Sequence, residues 1–316
     1  MVKAGHIELL GILRVLEASL FGPRTRFVIH ELTGDILSIQ GRWDEAEEQY
    51  DHALPIAVKH KLTTPLARIY SSRADLAVKK GEMDNALSLH KKALEMQIKL
   101  RDAQGAARSY NNMGYIFRRQ RDNKRAIEVY GNVEELLESE DSPDLTEARI
   151  RLASAFLEMG EMDRARDHAM KAHDETAENN QEKLHARSRA VLGRYYARIK
   201  DNDLAMHHYT GALEILSDQS DPRSAVEVEI LLGQVLSDAG STEEAAQHYL
   251  DALSIAEAND FRMMQGEILS RLGEVESNRS QRMDYLQRSL VVFRELGAVD
   301  RMREVQNSVH RVVMGH

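Results

Sequence analysis

The sequence predicts an all-α chain: a right-handed α-solenoid superhelix of about seven antiparallel helix pairs, with a capping helix at each end. The main observation is a repeat. Seven segments superpose at a step of 39 to 40 residues and carry a small residue at the same place: Gly34, Ala74, Gly114, Ala153, Gly193, Gly233 and Gly273. A second column follows at Ala46, Ala86, Ala126, Ala165, Ala205 and Ala245, and a third at Ala53, Ala93, Val133, Ala172, Ala212 and Ala252. Between those two stands a ring column, broken twice: Tyr50, His90, Tyr130, Ala169, Tyr209, Tyr249. Repeats of this length are supersecondary units that bury their apolar faces only against their neighbours. The expectation is one elongated binding scaffold and not an enzyme.

In chain order, Ile7 to Leu20 reads as a helix whose six leucines and isoleucines, from Leu9 to Leu20, spread too widely for a simple amphipathic stripe. Residues 1–26 are therefore expected to cap the first repeat, with a dimer contact as the alternative. Residues 27–297 hold the seven pairs. In the first, Pro55 falls inside the second helix and should kink it. In the second, Tyr70, Ala74 and Leu76 to Val78 recur at helical spacing up to Lys80, and Gly81 punctuates. Asp84-Asn85-Ala86 then opens another run through Leu87, His90, Ala93 and Ile98. The turn glycine returns as Gly41, Gly160 and Gly240, whereas Arg121 and Lys200 stand there in the third and fifth pairs, where strain is expected. Asp44, Asp84, Asp163, Asp203 and Glu243 suit the positive ends of the following helices, and Lys124 breaks that rule. Prolines 23, 65, 143 and 222 are placed between helices. The seventh pair is shortened after Gly273. Residues 298–316 form the C-terminal cap, a helix from Val299 to Val313 with Met302, Val305, Val309 and Val312 inward.

The chain has 316 residues, 42 basic and 51 acidic, for a net charge of −9. That balance argues against nucleic-acid or membrane association over the whole surface. With no cysteine there is no disulfide framework, thiolate metal site or thiol nucleophile. No stretch reaches the roughly 20 apolar residues of a membrane span, and no signal-peptide pattern is present, so a cytoplasmic protein is expected.

Small residue, turn Gly, Ala, Tyr, Ala at these offsets resembles the tetratricopeptide repeat, as in Gly34, Gly41, Ala46, Tyr50, Ala53 and again in Gly233, Gly240, Ala245, Tyr249, Ala252. The resemblance covers about residues 27 to 293. The usual unit is about 34 residues, so these are longer by over a helical turn. Such units look like those of adaptors that orient the mitotic spindle and of bacterial peptide-sensing repeat regulators. The resemblance implies peptide or protein recognition. It departs from the family pattern in lacking the proline near the end of the second helix and in Ala169. The subgroup that clamps chaperone C-terminal carboxylates is matched only at Asn112 and Arg151, with Ser71 and Asp75 standing where its lysine and asparagine belong.

A helical projection with the small residue at zero puts offsets −4, −1 and +3 in one core arc, which holds Phe117, Phe156, Leu192 and Leu236. The opposite arc is expected to line a concave groove. It reads Arg68, Ser71, Ser72, Asp75, Lys79, Lys80 in the second unit and Arg108, Asn111, Asn112, Tyr115, Arg118, Arg119 in the third. The fourth is mixed, with Glu147, Ile150, Arg151, Ser154, Leu157 and Glu158, and the fifth supplies Arg187, Arg194 and Arg198. The flanks are acidic, with Glu31 and Asp35 at one side and Glu227, Asp238, Glu267 and Glu274 at the other.

A basic middle predicts an acidic extended peptide or partner segment, because guanidinium groups make paired, charge-assisted bonds to carboxylates or phosphates. Asn111 and Asn112 are suited to hold a peptide backbone. A solvated helix face is charged in any case, and it is the clustering that favours a ligand. Two alternatives stand beside this: nucleic-acid or phospholigand binding with Tyr115 and Tyr195 stacking, and self-assembly through the terminal helices. No cofactor or metal is expected. His207 and His208 point about 100° apart and are read as surface residues.

Overall fold

The computed structural model describes residues 9, 10, 12, 13, 22–137, 142–179, 181–218 and 221–314, and among these it contains fifteen full helices and no strand. They are α1 (Pro23–Ile39), α2 (Trp43–Lys59), α3 (Thr63–Lys80), α4 (Met83–Leu100), α5 (Ala103–Arg119), α6 (Asn123–Leu137), α7 (Pro143–Met159) and α8 (Met162–Glu178). The rest are α9 (Glu182–Arg198), α10 (Asn202–Asp218), α11 (Pro222–Asp238), α12 (Thr242–Ala258), α13 (Arg262–Val275), α14 (Arg279–Glu295) and α15 (Val299–Met314). Consecutive helices form the seven expected pairs of an α-solenoid, α1 with α2 through α13 with α14, and α15 follows. The chain divides into two compact units, residues 1–155 and 156–316.

The expected N-terminal helix lies almost wholly outside the described residues. Of those described, Leu10 and Leu13 are buried with Phe27, Ile29, Tyr50, Ile69 and Leu76 in the core of the first unit. The first pair opens at Pro23, earlier than the expected boundary at 27. Pro23, Pro143 and Pro222 are first residues of helices and Pro65 is the third residue of α3, so they start helices instead of linking them. There the missing N–H would have had no intrahelical partner. α2 continues past Pro55 to Lys59, so the proline costs a hydrogen bond without ending the helix.

The glycines of the first column answer to the ring column. A Cβ built on Gly233 would stand 2.6 Å from Cε1 of Tyr249, and one on Gly193 2.5 Å from Cε1 of Tyr209. Gly34 and Gly114 are blocked in the same way by Tyr50 and Tyr130. All four tyrosines are buried. The two pairs with Ala74 and Ala153 in the first column carry the smaller His90 and Ala169 in the ring column. In the first six pairs the small residue is therefore sized to the ring-column residue across the pair, which close packing requires, whereas Gly273 of the seventh faces Leu286.

The turns inside the first six pairs are left-handed, and the seventh turns through extended Glu276. Gly41, Gly81, Gly160 and Gly240 have φ between 78° and 87°, and Arg121 and Lys200 are held at 61° and 68°. Asp122 N–H donates to Phe117 O at 2.9 Å, the bond that satisfies a terminal helix carbonyl in this geometry, so the arginine adopts a glycine's conformation because the turn demands it. In the second unit, α9 to α13 share a core around Tyr209, Tyr249, Leu232 and Ile268. α15 covers Leu286 and Phe293 of α14 with Val305 and Val312.

Candidate functional site

In the first unit the first helices of three successive pairs, α1, α3 and α5, wall an open cavity of ≈630 Å³. Glu31 and Asp35 come from α1, Arg68, Ser71, Ser72 and Asp75 from α3, and Arg108, Ser109 and Asn112 from α5. The same few offsets recur from helix to helix because each pair repeats the backbone of the last.

The basic side chains of this face have partners of several kinds: carboxylates, hydroxyls and a backbone carbonyl. Arg68 forms a bidentate pair with Glu31, its Nε donating to Oε1 at 2.9 Å, and stacks over Phe27. Lys79 Nζ donates to Ser38 Oγ at 2.8 Å, and Arg108 Nη1 lies 3.6 Å from Asp144 Oδ2. Asn112 donates to Asp75 Oδ1 at 3.0 Å. Arg119 donates to Tyr115 OH at 3.1 Å, and the Arg119 and Arg151 guanidiniums lie 5.9 and 5.5 Å from the Tyr115 ring centroid. Arg151 also pairs with Glu147, and Arg118 beside it is half-buried. In the second unit Arg187 is half-buried, Arg194 Nη2 stands 3.9 Å from Glu158 Oε1, and Arg198 donates to Leu157 O at 3.1 Å. Arg194, Arg198, Tyr209 and Asp238 line a smaller cavity of ≈340 Å³.

Several expectations for the arc need correcting. Asn111 is buried and donates to Asp144 O at 2.9 Å, so its amide holds α7 instead of facing the groove. Ile150, Ser154 and Leu157 are buried too. For Asn111, Ile150 and Leu157 the cause is rotational: offsets −3 and +4 fall at about 60° and 40°, the edge that closes against the neighbouring first helix, while Ser154, at offset +1, turns its hydroxyl back to Ile150 O at 3.0 Å. Lys80, at offset +6, rotates to about 240°, outside the arc, and its ammonium meets Asp44 and Glu47 of α2 at 3.0 and 2.6 Å. Tyr195 is buried and offers no face for stacking. His208 is half-buried, not a surface residue, stacking on Tyr196 with ring centroids 5.2 Å apart.

Sequence reasoning missed the groove floor. Buried Ser109 donates to Gln97 Oε1 at 2.7 Å, and Gln97 reaches Ser71 at 3.4 Å. The available signal was a polar residue on the buried register of α4, four residues beyond Ala93. His90 is fully buried and held neutral, its pKa lowered to about 4 by that burial. Asp75 moves the other way, to about 6: its side chain is 53% exposed, but desolvation by the surrounding helices, with the charge of Asp35, outweighs Lys79. Burial likewise raises Asp144, against the pull of Arg108. Among the described residues no group of three or more His, Asp or Glu side chains is placed to hold a metal ion, and no helix is long and apolar enough to cross a membrane.

None of the curated proteins matches the chain. Among solved structures, BtubC (BKLC) from P. vanneervenii is similar at 23% identity and a TM-score of 0.58, over 70% of this chain and 92% of that one. A Rap protein complexed with Competence and Sporulation Factor shares 13% identity at a TM-score of 0.66, covering 97% and 91%. The Rap conjugation gene regulator of plasmid pLS20, in complex with the Phr* peptide, shares 13% at 0.63, covering 94% and 96%. At these identities the likeness speaks for the fold. The family model described as the MalT-like TPR region matches residues 23–265. With its columns of small residues and tyrosines and its seven helix pairs, the chain belongs to that tetratricopeptide-repeat family.

Proposed function

We propose that this protein is a non-enzymatic scaffold that captures an extended peptide or partner segment in the groove of its first unit. The observation that carries this reading is the open ≈630 Å³ cavity, walled by three first helices and lined with hydroxyl, amide and charged side chains. Its polar groups come from three successive helices, with Val28, Leu32 and Ala67 between them, and this suits a chain whose backbone needs hydrogen bonds at several points and whose side chains need apolar contact. Two similar folds were solved in complex with Competence and Sporulation Factor and with the Phr* peptide, which supports a protein or peptide partner.

Acidic side chains of the ligand are taken at the basic end, by Arg108, Arg118, Arg119 and Arg151 around Tyr115. There an incoming carboxylate exchanges with Asp144 or Glu147 for a guanidinium instead of meeting a bare cation. The expected gain is therefore modest and salt-dependent.

The test is fluorescence anisotropy of the full chain with an acidic decapeptide library and with single-stranded RNA, each across a salt series. Peptide binding that is lost in the Arg118→Glu/Arg119→Glu variant supports the reading. Binding that survives this reversal, or RNA binding alone, overturns it.

A further inference from the structure

We propose that Asp35 and Asp75 form a subsite for a cationic group, a lysine or arginine side chain or a free amino terminus, within the groove. The proposal rests on the reading of that groove as a peptide site. The two aspartates occupy the same repeat position, one residue past Gly34 and Ala74, on α1 and α3, and both line the cavity.

Their partners are neutral donors. Tyr50 OH donates to Asp35 Oδ1 at 2.7 Å and Asn112 to Asp75 Oδ1 at 3.0 Å. The nearby bases have other partners: Arg68 holds Glu31, Lys79 holds Ser38, and Arg108 faces Asp144. Among the described residues no ammonium or guanidinium stands within ion-pair distance of either aspartate.

A second observation lies behind the pair. His90, on α4, has no exposed surface and no hydrogen bond at either ring nitrogen, and it aims Nε2 at Asp75 Oδ1 across 3.5 Å. Burial holds this imidazole neutral, so it does not supply the missing charge. The like charge of Asp35 adds to burial in raising Asp75, and the Lys79 charge is too weak to reverse them. A cation entering from the open side relieves the repulsion and donates charge-assisted hydrogen bonds to both carboxylates. The groove then has polarity: a cation beside α1 and α3, acidic residues beside Tyr115.

The probes are N-acetyl-lysine amide and its neutral counterpart N-acetyl-norleucine amide, titrated into the full chain with carbonyl-labelled aspartate and followed by NMR. The lysine probe is expected to move the Asp75 carboxyl resonance and to lower its titration midpoint, and the norleucine probe to do neither. Asp35→Asn should weaken the lysine response about tenfold, and Glu48→Gln, on the far side of α2, should leave it unchanged. Asp75→Asn, read on the Asp35 resonance, gives the same comparison if Asp35→Asn does not fold. Equal response to the two probes, or a lysine response indifferent to both aspartate variants, overturns the subsite. Positional-scanning decapeptides separate the two readings. If no peptide binds while the lysine probe titrates Asp75, peptide capture falls and the subsite stands. If peptides bind the groove without preferring lysine or arginine, the subsite falls and peptide capture stands.

Discussion

Gly233→Ala tests the rule that, in the first six pairs, the first-column residue is sized to the ring-column residue across the pair. Replacing glycine by alanine inside a helix ordinarily stabilises by about 1 kcal/mol, since less backbone entropy is lost on folding. Here the new methyl would stand 2.6 Å from Cε1, 2.8 Å from Cδ1 and 3.0 Å from Cζ of Tyr249. Carbon contacts are comfortable at about 3.5–4.0 Å, so the overlap approaches 1 Å against a ring only 1% exposed. Overpacking costs about 1–3 kcal/mol, and a ring with no room to retreat belongs at the upper end. Setting that against the helix gain leaves a net destabilisation of about 1–2 kcal/mol. Tyr249→Ala alone should cost about 3–5 kcal/mol, and the double variant about 1 kcal/mol less than Tyr249→Ala, because the methyl then enters vacated space. Repeat arrays unfold in parts, so hydrogen exchange of the α11 and α12 amides is the assay, with urea unfolding beside it. If Gly233→Ala stabilises the pair, or the two substitutions add without coupling, the sizing rule is wrong.

Arg121→Gly and Lys200→Gly should each stabilise by roughly 0.5–1 kcal/mol in denaturant unfolding, because both side chains are forced to positive φ. Removing Arg68 leaves the buried Glu31 carboxylate unpaired, so Arg68→Ala should cost about 1–3 kcal/mol, and adding Glu31→Gln should recover most of it in a double-mutant cycle. His173, His185 and His208 have pKa values lowered first by burial, that of His208 to about 4, so these three imidazoles bind fewer protons in the folded protein than in the unfolded chain. Their contribution is present above about pH 6.5 and is lost as the pH falls toward 4, so amide protection factors in α8 to α10, corrected for the intrinsic exchange rate at each pH, should fall across that window, and His208→Asn should flatten the response.

The repeat, the turns and the core arc were legible in the sequence because each depends on spacing along one chain. Gly34, Ala46, Tyr50 and Ala53 recur whether or not their partners are known. The alternation of Gly and Ala in the first column was legible too, once read together with the ring sixteen residues later, but it takes coordinates to show that a methyl collides there. What the sequence could not supply was the pairing across helices. Arg68 reads as a free cation until Glu31, 37 residues earlier, is found beneath it. Asn111 and Asn112 look alike in a projection, yet 100° of rotation puts one under α7 and the other on the groove. Helical projection fixes direction around one axis and says nothing of how near the next axis lies. That is why the edge of the predicted groove, at Ile150 and Leu157, turned out closed.

The fit of each glycine to its tyrosine has a consequence for how such an array is cut and rejoined. A crossover between pairs carries helix and partner together, and every ring arrives with the gap made for it. A crossover at the turn inside a pair, at Gly81 or Gly160, joins the Ala74 or Ala153 helix to a partner bearing tyrosine, and the methyl meets the ring. The opposite join sets glycine before His90 or Ala169 and leaves a void. Whole pairs are thus the interchangeable parts of this protein, and single helices are not.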